Sequence, residues 1–165
     1  MAAKIQSMAH ISFYTEHFEE MLEFYHKKLG ATLWVLVRYS SYFDRPDKPT
    51  MQEAARKDPN KIFYAYLKLG ADLFIELFPA TERQKPRIGA WNEYCGYSHA
   101  ALIVEDIQSA YRDLIAAGIE PDTAPSKGPS ETWQFWFHDP DGNMFEMMQY
   151  TERSFQRTGH IDEEV

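Results

Sequence analysis

Residues 10–33 read HISFYTEHFEEMLEFYHKKLGATL, and residues 99–122 read HAALIVEDIQSAYRDLIAAGIEPD. Each opens with a histidine in a strand-like run and passes a short acidic turn. Each then enters a stretch whose apolar residues recur three and four apart, which puts them on one face of a helix. In the first stretch these are Phe18, Met21, Leu22, Tyr25 and Leu29; in the second, Ile107, Ala110, Tyr111 and Leu114. Both helices run to a glycine, Gly30 and Gly118, as a left-handed cap requires. The chain states one motif twice.

The ends of the two halves match as well. KIFYAYLKLGADLFIELFP, residues 61–79, predicts two strands joined at Gly70-Ala71-Asp72, and TWQFWFHDPDGNMFEMMQY, residues 132–150, predicts two strands joined at Asp139-Pro140-Asp141-Gly142. Each second strand holds one glutamate among apolar residues, Glu76 in LFIELF and Glu146 in MFEMM.

The repeat predicts an α+β fold of two tandem βαβββ modules, forming a curved, half-barrel-like arrangement of eight strands around a metal site. The expected domain covers residues 1–150, with module one over 5–79 and module two over 96–150. A polar joint falls near 80–95, and a C-terminal tail occupies 151–165. Module one alone carries an insertion, residues 40–61, rich in proline and charge, with a short helix expected around Met51 to Lys57. Such a segment serves as a binding lid or as a plain surface excursion.

Composition narrows the function classes. With 44% hydrophobic and 15% aromatic residues the chain is globular in character. Its 25 acidic against 17 basic residues give a net charge of −8, which argues against nucleic acid as a partner. No apolar stretch approaches the ~20 residues that span a bilayer, and the N-terminal sequence lacks a signal-peptide core. The single cysteine, Cys95, permits neither an internal disulfide nor a thiolate cluster. The expected location is cytoplasmic, and the expected partner is a small molecule.

An ionised carboxylate in an apolar strand is costly unless a cation meets it. Strand alternation puts Glu76 on the face of Phe74 and Phe78, and Glu146 on the face of Met144 and Met148. His10 shares a face with Ser12, and His99 with Ala101. His and Glu thus recur at equivalent places in both halves, whereas His17, His26, His138 and His160 have no such counterparts. Two imidazoles and two carboxylates around a divalent ion form a charge-neutral set, which accounts for buried carboxylates that stay ionised. The predicted metal ligands are therefore His10, Glu76, His99 and Glu146. Nitrogen and oxygen ligands without thiolate suit one ion of Ni, Zn, Co, Mn or Fe with two positions left for water or substrate.

With these residues in place, the sequence resembles the vicinal oxygen chelate superfamily, which includes glyoxalase I, bleomycin-resistance proteins and dioxygenases. The likeness covers residues 5–150 apart from the insertion. It is strongest in GYSHAALIVEDIQSAYRDLIAAGI and FHDPDGNMFEMMQY, which look like the second-module motifs of bacterial glyoxalase I, a lactoylglutathione lyase. The His-Glu-His-Glu set is the glyoxalase type, whereas extradiol dioxygenases typically use two His and one Glu. The resemblance implies a lyase, isomerase or epimerase that moves a proton on a substrate with vicinal oxygens through a metal-bound enediolate. It also implies that a ligand glutamate acts as the base, Glu146 being favoured and Glu76 the other candidate. Homodimers are common in the family. The alternatives are another metalloenzyme of the superfamily, a dioxygenase or a thiol transferase for antibiotic resistance, and a non-catalytic small-molecule-binding module.

One departure bears on the substrate. Bacterial glyoxalases place a glutathione-holding arginine four residues after the first histidine, and this chain has Tyr14 there. The resemblance therefore does not carry glutathione over. Lys127 occupies a family-like basic position, and Trp133 and Trp136 with Tyr64, Tyr66 and Phe74 are candidate walls of a cavity for an apolar or sugar-like ligand, or plain core; Tyr14, Lys127 and Trp133 are the expected substrate contacts.

Overall fold

The computed structural model describes residues 7–85, 93 and 95–161. Half of the joint, the first residues of module one and the last acidic residues lie outside them. The chain divides into two compact units between residues 86 and 87.

The first unit contains β1 (His10–Thr15), α1 (Phe18–Glu23), β2 (Thr32–Arg38), α2 (Pro49–Lys57), β3 (Ile62–Leu69) and β4 (Leu73–Pro79). Its open four-stranded sheet has the order β1-β4-β3-β2. β1 runs parallel to β4, and the other pairs are antiparallel. The sheet therefore joins the first strand of the unit to its last. Alternate residues Phe13, Ala65, Leu67, Ile75 and Leu77 are buried, as are Phe18, Met21, Phe24 and Tyr25 on the helical side.

That helix departs from the regular period the sequence suggests. After Glu23 it widens into a π turn over Phe24–Lys28, in which the Leu29 amide donates to the Phe24 carbonyl at 2.8 Å. Phe24 and Tyr25 are neighbours in sequence yet both buried, with rings edge to face at 5.3 Å. A regular α-turn sets successive residues about 100° apart around the axis, so one helix face does not by itself account for the burial of both. The helix still closes at Gly30, whose φ of +80° is the left-handed value a glycine tolerates.

In the insertion, a 3₁₀ turn at Tyr39–Tyr42 is followed by α2, which starts with Pro49 and packs on that turn. The helix expected around Met51 to Lys57 is thus present and begins two residues earlier.

The second unit repeats the plan: β5 (His99–Ile103), α3 (Ile107–Ala116), β6 (Ser126–Lys127), β7 (Trp133–His138) and β8 (Met144–Gln149), in the order β5-β8-β7-β6. Asp106 caps α3 by accepting from the Ser109 amide at 2.7 Å. β6 has only two residues, although β2 has seven. Pro121, Pro125 and Pro129 punctuate this stretch, and proline cannot donate to a ladder. Phe135, Phe137, Phe145 and Met147 fill the core beside Ile107 and Leu114. The β7–β8 turn is held by Asp139, itself 1% exposed, whose carboxylate accepts from the Asn143 amide and side chain, both at 2.8 Å.

After residue 150 the chain folds back on this unit. A short helix, α4 (Phe155–Thr158), follows the buried Ser154, and the Thr132 hydroxyl donates to Ser154 Oγ at 2.9 Å. The Phe155 amide reaches the Ser130 carbonyl at 3.0 Å. Among the described residues no helix is long and apolar enough to cross a membrane.

Candidate metal and catalytic site

In the first sheet the register sets Ser12 opposite Glu76, so His10 and Glu76 lie one rung apart on a shared face. Tyr66 of β3 is the other neighbour of Glu76. His10 Nε2 stands 3.5 Å from Glu76 Oε2, with the histidine side chain 41% exposed and the glutamate 11%. The carboxylate is sunk in the sheet, and the imidazole opens toward solvent.

The second sheet repeats this register. Ala101 is opposite Glu146, His99 lies one rung away, and Trp136 is the other neighbour. His99 Nε2 stands 3.6 Å from Glu146 Oε2, with exposures of 32% and 10%. Each histidine also meets the aromatic ring beside its glutamate edge-on, His10 to Tyr66 at 5.5 Å and His99 to Trp136 at 4.8 Å. The repeat read from the sequence holds at the level of individual atoms.

Two donors, each ~2.1 Å from a common divalent ion, lie about 3.0–3.4 Å apart in octahedral or tetrahedral arrangement. The observed 3.5 and 3.6 Å are close to that span, so each pair fits half a coordination shell. Among the described residues no group of three or more His, Cys, Asp or Glu gathers. Other histidines are committed elsewhere, His26 to the Ala31 carbonyl at 2.8 Å and His138 to Asp122 at 2.9 Å.

The two glutamates differ in their companions. Ser12 Oγ donates a short hydrogen bond to Glu76 Oε2, and Tyr66 lies within hydrogen-bonding reach of the same carboxylate. The equivalent residues in the second unit, Ala101 and Trp136, carry no hydroxyl. Burial raises the Glu146 carboxyl above its ordinary pKa, with His99 opposing the shift. Sequence reading named Tyr66 and Trp136 among the aromatics that could line a cavity, but did not pair them with the glutamates. Strand alternation combined with the hairpin register would have found both.

Burial, and then the hydrogen bond to Glu76, push the Tyr66 phenol up to about 12 from its ordinary 10.0. A raised folded pKa means the proton is held more tightly in the folded state. The stabilising contribution is therefore complete below pH 10 and is lost as pH rises through about 12. In metal-free protein, Tyr66→Phe is expected to remove one late-titrating phenol from the ultraviolet alkaline titration and to flatten stability over that window.

The three expected substrate contacts fall in different settings. Tyr14 lies on the His10 face of β1, 57% exposed, with its ring 5.2 Å from Phe78. Lys127 in β6 is ion-paired with Glu131. Trp133 alternates with Trp136 in β7, so it shares the face of Phe135 and Phe137, and it pairs with Gln149. Trp136 is the tryptophan at the Glu146 position. Arg38, Arg83, Lys85 and Arg87 are the bases in the sequence that could meet an anionic substrate, and Arg87 lies outside the described residues.

A repeated βαβββ unit with a His–Glu pair joining its first and last strands defines a paired-module α+β protein of the vicinal oxygen chelate type. Residues 7–147 match the model of the Glyoxalase/Bleomycin resistance protein/Dioxygenase superfamily, and the chain belongs to that superfamily. Members of this superfamily commonly use a divalent metal and bind small molecules.

Solved structures share the fold at low identity. A glyoxalase family protein from Enterococcus faecalis is 24% identical, with a TM-score of 0.63 over 87% of this chain and 97% of that one. A glyoxalase/bleomycin resistance protein/dioxygenase from Nocardioides is 20% identical, with a TM-score of 0.61 over 99% and 92%. Lactoylglutathione lyase from Agrobacterium tumefaciens is 14% identical, with a TM-score of 0.57 over 89% and 96%.

Proposed function

We propose that this protein is a metal-dependent, glyoxalase-like enzyme that moves a proton on a small substrate with vicinal oxygens. The observation that carries this is the repeated pair, His10 with Glu76 at 3.5 Å and His99 with Glu146 at 3.6 Å. One of the fold relatives is a lactoylglutathione lyase. His10, Glu76, His99 and Glu146 would together hold one ion of Ni, Zn, Co, Mn or Fe, drawn from one chain or from two copies in a homodimer. The enzyme is assigned to the cytoplasm.

A divalent ion in this set supplies Lewis-acid polarisation of a carbonyl oxygen. The chain's residues supply the rest. Ser12 holds Glu76 through its hydrogen bond, with Tyr66 beside it, so Glu76 keeps one position. Glu146, with Ala101 and Trp136 beside it, is the carboxylate able to shift and take up a proton. It removes that proton from the hydroxyl-bearing carbon next to the carbonyl and returns it to the former carbonyl carbon, while the hydroxyl proton passes to the former carbonyl oxygen, so the net change is an isomerisation without a redox partner. Tyr14 contacts the substrate from β1, whereas Lys127 reaches it only by leaving Glu131.

Metal reconstitution of purified protein followed by an assay with methylglyoxal and glutathione, and then with other hydroxy-ketones, tests this reading. Bound metal near one equivalent per site and turnover of one of these substrates are expected. His10→Ala and His99→Ala are each expected to weaken metal uptake by at least about tenfold, a loss of ~1.4 kcal/mol or more. Metal uptake indifferent to both substitutions would refute the ligand set.

A further inference from the structure

The first unit contains a concavity that the His–Glu pairs do not explain. A cleft of about 920 Å³ lies between α2, the ends of β1 and β4 and the start of β3. Its volume is within the ~300–1,000 Å³ typical of small-molecule sites. Tyr14, Tyr39, Phe63 and Phe78 line it, and Met51 and Ala54 of α2 form its roof.

The rings make one connected surface: Tyr14 to Phe78 at 5.2 Å, Phe78 to Phe63 at 5.7 Å, and Phe63 to Tyr39 at 5.2 Å. Tyr14 remains 57% exposed despite its ring contact, so its ring is open to a ligand. Charge at the cleft is balanced, Glu16 and Glu82 against Lys61 and Arg83, which gives no net field to select an anion or a cation. Selection therefore rests on flat apolar shape and ring stacking, with Thr50 and Gln84 available for hydrogen bonds.

The cleft continues the face of the first His–Glu pair. Ser12–Glu76 and Tyr14–Phe78 are successive same-face rungs of the β1–β4 ladder. Two residues along a strand advance about 6.6 Å, so a ring resting on Tyr14 and Phe78 lies one short linking group beyond Glu76. We infer that this cleft binds an uncharged planar aromatic group of the substrate, under α2, while the reacting oxygens sit at His10 and Glu76. The placement of the reacting end rests on the function proposed above; the cleft's preference for an aromatic group does not.

The test uses the metal-free protein and the uncharged fluorophore N-phenyl-1-naphthylamine, beside its anionic analogue 1-anilinonaphthalene-8-sulfonate. The uncharged probe is expected to brighten and saturate. Tyr14→Ala, which removes one exposed ring, and Ala54→Trp, which fills the cleft from the roof, are each expected to weaken it by about tenfold. Ile115→Glu, an exposed change on α3, is expected to leave it unchanged. Circular dichroism checks that each variant is folded, and Tyr14→Ala alone keeps the test decisive if Ala54→Trp is not. Absence of saturable binding, equal binding by the cleft variants, or tenfold tighter binding of the sulfonate would each overturn the inference. Metal titration of the same samples is a separate readout, so the cleft can fail while the ligand set stands, and the reverse.

Discussion

Glu146→Gln is expected to lower turnover of whichever substrate the enzyme accepts by roughly 10²–10⁴-fold, the usual contribution of a positioned general base. Glutamine keeps an oxygen donor and nearly the same shape, so metal content should fall far less than rate. The companion substitution Glu76→Gln should behave differently. Glu76 is held by Ser12 and stands beside Tyr66, and a carboxylate fixed in this way serves binding more than proton transfer. Its loss should appear first as reduced metal content and only through that as reduced rate. Measuring metal by elemental analysis alongside kcat on the same preparations separates the two roles. Wild-type turnover by the Glu146 variant would remove it as the base.

Phe145→Ala is expected to destabilise the second unit by about 3–5 kcal/mol, the range for truncating a buried phenylalanine. Phe145 is fully buried and stacks on Phe137 at 5.4 Å with an interplanar angle of 20°. It also pairs in register with Ala100 on β5, so the cavity would open in the core, on the sheet face opposite to Glu146. Urea unfolding followed by tryptophan fluorescence reads the loss, since Trp133 and Trp136 lie in the neighbouring strand. Phe145→Leu, which refills most of the volume, should recover more than half of it. An alanine variant within 1 kcal/mol of wild type would show that β8 contributes little to the core.

The paired-module fold was legible because its signals are local and doubled. Histidine, helix, capping glycine, hairpin and glutamate each occur twice, and chance rarely repeats five features in one order. What stayed hidden depends on register or on three-dimensional crowding. Tyr66 and Trp136 become neighbours of the glutamates only once β3 and β7 are aligned with β4 and β8. Trp133 was chosen as a candidate substrate contact because it is large and aromatic, but its parity in β7 sets it with Phe135 and Phe137, opposite to Trp136. The π turn that follows α1, closed by the Leu29 amide on the Phe24 carbonyl, is a departure that no 3.6-residue period reports. The shortness of β6 could have been anticipated from the three prolines around it, Pro121, Pro125 and Pro129. The fold-back of residues 151–158 rests on Thr132, Ser154 and Ser130, small polar residues that leave no periodic trace.

The pairing of β1 with β4, and of β5 with β8, also has a temporal meaning. During synthesis the histidine strand of each unit leaves the ribosome long before its glutamate strand. Contacts this far apart in sequence close late and slowly. A nascent or truncated unit therefore carries an imidazole without its carboxylate partner. If the proposed ligand set holds a metal, its capture would be a property of the finished unit, and the topology itself would delay loading until the fold is complete.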